Sequence, residues 1–264
     1  MNIASTFTLS YPETSGFDKT DIHFYKGEID LPSLFFSTES NLSRLFVTDT
    51  TIASLPSMQA FCKYFEAEGI KALSVYKKNN DILLILGPGE AYKTMQSVLS
   101  IVKTALEANF TRNCLFIAIG GGVICDMTAF AASIFKRGVA VDFVPTTLLS
   151  MVDAAIGGKT ACDYEGFKNM VGSFWPAANL SVCSNFVLSL SAKEYISGLA
   201  EAIKTAFLFS EELLLLFKNE NVAIMNRDAK ILSKIIEICA KAKAAIVQED
   251  PREKGRRAFL NNSG

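Results

Sequence analysis

The sequence is poor in histidine: His23 is the only one in 264 residues. Zinc and related ions are commonly held by imidazoles and thiolates, so a single imidazole limits metal chemistry more than any other feature of the composition. C-x-x-C pairs are missing too. Cys62, Cys114, Cys125, Cys162, Cys183 and Cys239 are scattered, the pattern of reduced, mostly buried thiols in a cytosolic protein. There is no excess charge of one sign. The 26 Lys and Arg and 27 Asp and Glu leave a formal net charge of −1, without the clustered basic excess of a nucleic-acid or acidic-surface binder. No apolar run reaches about 18 residues without a charged or polar break, so no membrane-spanning helix is expected. The opening "MNIASTFTLSYPETSG" has no basic stretch leading into an apolar one, and no signal peptide is predicted. Internal repeats and low-complexity tracts are also lacking. The expectation is a cytoplasmic protein without nucleic-acid or membrane partners.

Half of the residues are hydrophobic, enough for one large or two modest domains with a sizeable core. Apolar runs over 45–48, 72–76, 82–86, 114–119 and 138–145 read as strands. Helical periodicity marks 57–69, 91–107 and about 126–135. Strands alternating with helices predict an α/β fold with a largely parallel sheet, in which ligands sit at the carboxyl ends of the strands. Asp49, the "GPGE" turn and Gly120 to Gly122 all fall at such exits. After about residue 187 the pattern becomes helical. "SLSAKEYISGLAEAIKTAFLF" opens with a capping box, Ser191 with Glu194, and "RDAKILSKIIEICAKAKAAIVQED" reads as a long helix capped by Asp228 or Asn226.

The triple glycine in "IAIGGGVICDMTAF" leaves no side chains between the strand end and a ligand. Free N–H groups at the following helix start could cradle a pyrophosphate. Against G-x-G-x-x-G the third position is Cys125, so a tight strand-to-helix turn remains an equal reading at this point. The segments around it decide. "GGGVICDMTAFAASIFKRG", "VPTTLL", "MVDAAIGGKTACDYEGFKNMVGSFWP" and "GLAEAIK" occur in fixed order. Together they resemble the 3-dehydroquinate synthases, of the NAD-dependent sugar phosphate cyclases, over about 46–261. Iron-dependent alcohol dehydrogenases and glycerol-1-phosphate dehydrogenases share a GGG…D turn and a PTT-like segment but not the "GGKT…KN" pair.

The resemblance implies a Rossmann-like, parallel-sheet NAD-binding α/β domain over 1–185 and the start of a mainly α-helical metal- and substrate-binding domain over 186–264. It implies conversion of 3-deoxy-D-arabino-heptulosonate 7-phosphate, a sugar phosphate, to 3-dehydroquinate and phosphate in the shikimate pathway. NAD would be used and returned, with a divalent metal, zinc or cobalt, polarising the hydroxyl that is oxidised. It places Asp153 at substrate hydroxyls, Lys159 at the phosphate and beside the cofactor, Lys168 at the cofactor and Asn169 at the phosphate. Arg137 would reach into the partner subunit of a homodimer. Glu201 would be a metal ligand and Lys204 a substrate contact. Lys243 and Arg257 would hold the substrate carboxylate, with Asn261 a further substrate position. For NAD it assigns Asp49, Glu90 and Lys93 to the adenosine half, and Gly121, Gly122, Val123 and Asp126 to the pyrophosphate and ribose. Thr146, Thr147, Phe186, Ser189, Leu190 and Glu194 complete the cofactor contacts.

The sequence departs from the family pattern at Cys125, commonly glycine, at Ser189, usually threonine, and at Thr128 and Ala129. The family continues after "LN" with a segment that supplies two histidine metal ligands, whereas this sequence reads "AFLNNSG" to Gly264. The expectation is a truncated chain with an incomplete metal site and an exposed apolar patch on the helices over 191–247. The alternatives are a non-catalytic NAD-binding member and a sister cyclase acting on another sugar phosphate. Lys243, Arg257 and Asn261 favour a substrate bearing a carboxylate.

Overall fold

The computed structural model describes residues 3–12, 18–37, 41–255 and 257. In chain order the main elements are β1 (Ile3–Ser10), β2 (Lys19–Tyr25), α1 (Leu31–Phe36), β3 (Ser43–Asp49), α2 (Thr50–Ala53), α3 (Gln59–Tyr64), β4 (Ser74–Lys78), β5 (Asp81–Leu86), α4 (Met95–Glu107), β6 (Cys114–Gly120), α5 (Gly122–Ile134), β7 (Ala140–Pro145), β8 (Lys159–Tyr164), β9 (Phe167–Phe174) and β10 (Asn179–Cys183). Four helices follow: α6 (Ala192–Phe209), α7 (Glu211–Asn219), α8 (Asn221–Met225) and α9 (Ala229–Glu249).

Eight strands form one sheet in the order β1-β2-β10-β7-β6-β3-β5-β4. Its inner strands run parallel, and β1 and β4 close the two edges antiparallel. The predicted α/β class is therefore what forms. β5 is buried at every position and β3 over its last five residues, as expected of strands covered on both faces. Under β3, Phe35, Phe36, Phe46, Phe61 and Phe65 pack edge-to-face and stacked. Arg44 and Asp81 join β3 to β5 by a two-pronged ion pair at 2.7 and 2.6 Å.

From β3 the chain runs out to the β4 edge, returns as β5 beside β3, then crosses to place β6 on the other side of β3. The crevice at this reversal lies between the carboxyl ends of β3 and β6, where open α/β sheets take ligands. Asp49 ends one strand and Gly120 the other.

Several boundaries differ from the sequence-based expectation. α5 begins at Gly122, four residues before the predicted start, because the glycine N-cap Gly121 supplies no side-chain signal. The helix expected over 91–107 is broken: a short turn at Glu90–Tyr92 precedes α4, which Thr94 caps by accepting from the Ser97 N–H. α3 stops at Tyr64. The "GGKT…KNMVG" region is a separate two-stranded sheet, β8 with β9, where no hairpin was predicted. The capping box at α6 forms, and Asp228 caps α9 through the Lys230 and Ile231 N–H groups.

Large apolar side chains stay exposed on α6 to α8, among them Ile196, Phe207, Leu208, Leu215, Val222 and Met225, in line with the expected apolar surface there. His23 sits on β2 with Nδ1 against the Thr6 hydroxyl at 3.2 Å. All six cysteines are buried and free. Among the described residues no helix is long and apolar enough to cross a membrane.

Candidate active site

The glycine turn is built from close contacts. A Cβ on Gly120 would lie 2.6 Å from the Ile124 Cβ, and one on Gly121 would lie 2.9 Å from the Thr147 Cγ2. Only glycine lets β6 turn directly into α5 beneath the loop after β7. Gly121, Gly122, Val123 and Asp126 are all partly exposed, whereas Ile124 and Cys125 are buried, so one face of the α5 start is open to a ligand. Cys125 packs inward, its thiol toward the Gly120 carbonyl at 3.8 Å, and leaves that approach clear. The Thr146 N–H donates to the Gly120 carbonyl at 2.9 Å, tying the two loops together. Its own hydroxyl is buried without a hydrogen-bond partner among the described residues. Thr147 is locked to Ser150 by hydroxyl and backbone hydrogen bonds.

At the end of β3, Asp49 caps α2 by accepting from Thr51 and Ile52 N–H at 2.8 and 3.0 Å. Burial raises its pKa against those hydrogen bonds, and the charge of Glu194 adds to the rise. Asp49 and Glu194 therefore share one neighbourhood although 145 residues separate them. Phe186 and Ser189 line a cleft of about 300 Å³ with Leu55 and Cys183, below the exits of β2 and β10; Leu190 is buried next to it in sequence.

Lys93 was expected at the adenosine half, but its buried side chain points into a polar cluster. Its Nζ is 2.6 Å from Asp126 Oδ2 and 2.5 Å from Asn169 Oδ1. Burial pushes the Asp126 carboxyl up to about 6, with Lys93 opposing the rise. Glu90, in the same loop, pairs instead with Lys168 on β9 at 3.2 Å. The Asp163 N–H donates to the Lys93 carbonyl at 2.7 Å and its carboxylate accepts from the Asn169 N–H at 2.8 Å. The hairpin is thus pinned to the loop before α4.

Beside this cluster lies a cavity of about 620 Å³ lined by Asp126, Asp153, Lys159, Asn169, Lys243, Glu253 and Arg257. Asp153 is carried on a π-helical turn, Ser150–Ala154, a local widening that often marks functional sites. It pairs with Lys243 of α9, and Lys159 pairs with Glu253. Arg257 is fully buried, donating to the Gly157 and Pro251 carbonyls at 3.0 and 2.8 Å. Burial lowers its pKa, and neighbouring Glu253, Asp153 and Asp250 oppose the shift.

The structure thus gathers Asp126, Asp153, Lys159, Asn169, Lys243 and Arg257 around one space. Arg137 is elsewhere: exposed beyond the end of α5, with φ +68°. Glu201 and Lys204 pair with each other on α6 at 2.6 Å. Glu201 and Asp153 both act on the buried Cys239 thiol, whose pKa burial pushes up to about 12. Among the described residues no three His, Cys, Asp or Glu side chains group to hold a metal, so Glu201 and its neighbours do not by themselves fit a metal site. Asn261 lies outside the described residues.

Two participants escaped the sequence reading. Glu253 carries no local signal that would link it to Lys159, 94 positions earlier. Asp163 had only the Glu165-Gly166 pair between "TACDY" and "FKNMV", both at positive φ, as in a two-residue hairpin turn.

The chain has the fold of the sugar phosphate cyclases. Over 92% of its length it is similar to 2-epi-5-epi-valiolone synthase from Streptomyces hygroscopicus, a structure with NAD+ and Zn2+ bound, with a TM-score of 0.76, 24% identity and 65% of that chain covered. Residues 83–197 match the family model for 3-dehydroquinate synthase N-terminal, and residues 198–262 match the one for 3-dehydroquinate synthase C-terminal. The 3-dehydroquinate synthase of Campylobacter concisus is 39% identical over 191 residues, 72% of this chain and 54% of the relative. That of Buchnera aphidicola is 32% identical over 246 residues, 93% of this chain and 66% of the relative. The chain belongs to the 3-dehydroquinate synthase family. It spans 54% and 66% of the length of these two curated relatives.

Proposed function

We propose that this chain provides the NAD-binding part and most of the substrate cavity of an enzyme that converts 3-deoxy-D-arabino-heptulosonate 7-phosphate to 3-dehydroquinate and phosphate. The observation that carries the reading is Arg257. Its Nε is buried without an acceptor among the described residues, in the wall of a cavity that also holds Lys159 and Lys243. An unmet buried donor costs about 1–3 kcal/mol, a cost that an anionic ligand entering the cavity would remove. Three cations lining one cavity suit a substrate with a carboxylate at one end and a phosphate at the other, and favour it over sister cyclase substrates without the carboxylate.

The glycine turn fits a dinucleotide. Gly121 and Gly122 leave the α5 N–H groups open to a pyrophosphate, and the Thr146 hydroxyl, without a partner among the described residues, stands at the next strand exit. Bound NAD would accept a hydride from the substrate and return it. Lys243 and Arg257 would orient the carboxylate, Lys159 and Asn169 would hold the phosphate, and Asp153 would accept from the ring hydroxyls once the substrate carboxylate displaced it from Lys243. The division near residue 185 would then separate cofactor binding from the helical part. Zinc or cobalt would complete the set in the whole protein, with Glu201 as one ligand.

Arg137, outside this chain's cavity, would serve the cavity of a second subunit, giving a homodimer. Six buried free thiols suit a reducing cytoplasm.

The test is release of phosphate from the heptulosonate phosphate with NAD and zinc, alongside NAD binding by calorimetry. NAD binding with turnover, here or in a version extended through the reading frame, supports the proposal. NAD binding with no turnover in either form would make the chain a non-catalytic member. Absence of NAD binding would remove the cofactor reading altogether.

A further inference from the structure

Resting on the proposed phosphate site, we infer that Lys93 is a positioning residue that sets the orientation of the Asn169 side-chain amide, and so makes Asn169 a hydrogen-bond donor to an anion in the cavity. An ammonium has three donors and no acceptor. The atom of Asn169 that meets Lys93 Nζ at 2.5 Å must therefore be the amide oxygen. The amide NH2 is left at the other end, without a partner among the described residues, on a residue that lines the cavity.

Three further contacts hold this arrangement. Lys93 is only 6% exposed and its ammonium is fixed from the other side by Asp126 at 2.6 Å. The Asn169 backbone, at φ +56°, is held by its N–H to Asp163. Asp163 is itself bonded to the Lys93 carbonyl. The lysine thus fixes both the strand position and the flip of the amide. The NH2 of Asn169 is chemically suited to phosphate or another oxyanion, whereas a flipped amide would turn its oxygen toward the anion and repel it.

The test is calorimetric binding of inorganic phosphate to the full chain and to Lys93→Met, Asn169→Ala and the double variant. Lys93→Met is expected to weaken phosphate by about tenfold, roughly one charge-assisted hydrogen bond. In the Asn169→Ala background the same replacement is expected to change affinity less than about twofold, because there is no amide left to orient. An equal loss in both backgrounds would mean that Lys93 acts only by its charge, and would overturn the inference.

Asn169→Asp is an exposed replacement that keeps an oxygen for Lys93 and removes the NH2, so it remains informative if Lys93→Met folds poorly. It is expected to weaken phosphate at least tenfold with an unchanged melting temperature. Wild-type affinity in Asn169→Asp would overturn the inference. The side-chain NH2 resonances of Asn169, assigned by their loss in Asn169→Ala, give a readout independent of phosphate. They should shift in Lys93→Arg far less than in Lys93→Gln, since only arginine is also donor-only. Equal shifts overturn the orientation. Shifts as expected in a protein that takes up no phosphate would leave the orientation standing and refute the proposed phosphate site.

Discussion

A methyl group added at Gly121 would stand 2.9 Å from the Thr147 Cγ2 and 3.4 Å from its Oγ1. The backbone there, at φ −74°, accepts any L residue, so the whole effect of Gly121→Ala comes from crowding. Thr147 would have to retreat by about 0.5 Å to reach ordinary contact. It is not free to do so, because its hydroxyl and backbone are tied to Ser150 on the turn that carries Asp153. Overpacking of this kind costs about 1–3 kcal/mol, and for a chain of this size each kcal/mol lowers the melting temperature by about 2–4 °C. The second consequence is at the cofactor. NAD at a hundredfold excess over its Kd stabilises the fold by about 2.7 kcal/mol, and a tenfold loss of affinity reduces that to about 1.4 kcal/mol. Thermal melts with and without NAD measure both quantities. Gly121→Ala should melt lower alone and gain about half as much from NAD. A variant that melts with the wild type and keeps the full NAD shift would show that the turn is neither tight nor a cofactor site.

Other perturbations probe separate parts of the molecule. The Asp126 carboxyl, pushed up to about 6 by burial, binds a proton in the folded chain between roughly pH 4 and 6 where the unfolded chain does not. Its contribution to stability therefore rises as pH falls through that window, by about 1 kcal/mol at pH 5. Urea midpoints across the window should show this slope in the wild type and lose it in Asp126→Asn; identical slopes would refute it. Asp81→Ala strips the largely buried Arg44 of its carboxylate partner, the two side chains being 12% and 4% exposed for Arg44 and Asp81, and should cost about 3 kcal/mol in urea unfolding. Restoring much of that loss with Arg44→Met in the same chain is expected, and a single-variant cost below about 1 kcal/mol would mean water screens the pair. Ser191→Ala removes one half of the α6 capping box and should cost about 1 kcal/mol by the same measurement; no change would mean that packing alone fixes the start of α6.

What was readable in the sequence was local. Ser191 with Glu194, and Asp228 before α9, are caps whose donors and acceptors lie within a turn of one another, so pattern alone places them. β3, β5 and β6 carry apolar runs that pattern alone picks out, β5 above all, whereas β10, with Asn179 and Ser181 in its five residues, was not read as a strand. The start of α5 was hidden because a glycine cap leaves no side chain to read. The edge pair β1 and β2 was missed because half-exposed strands carry mixed residues. The site was legible as a set of residues through the family motifs, but not as a set of partners. Lys93 to Asn169 spans 76 positions, Lys159 to Glu253 spans 94, and Asp153 to Lys243 spans 90. Such pairs exist only once the hairpin and the final turn have docked, and they bring the Lys93 ammonium against the Asn169 side chain.

The six buried thiols have a practical meaning. They are placed one each on α3, β6, α5, β8, β10 and α9, so almost every layer of the fold carries its own chemical reporter. A thiol-alkylating reagent can reach each only when its element opens, and where closing outpaces alkylation the rate at each position tracks the population of that open state. Mass spectrometry of a timed alkylation would therefore rank these elements by local stability in the native sequence, without introducing a single label. Cys162 on the two-stranded hairpin should be modified before Cys114 on the central β6. The order of the six would chart how the molecule comes apart.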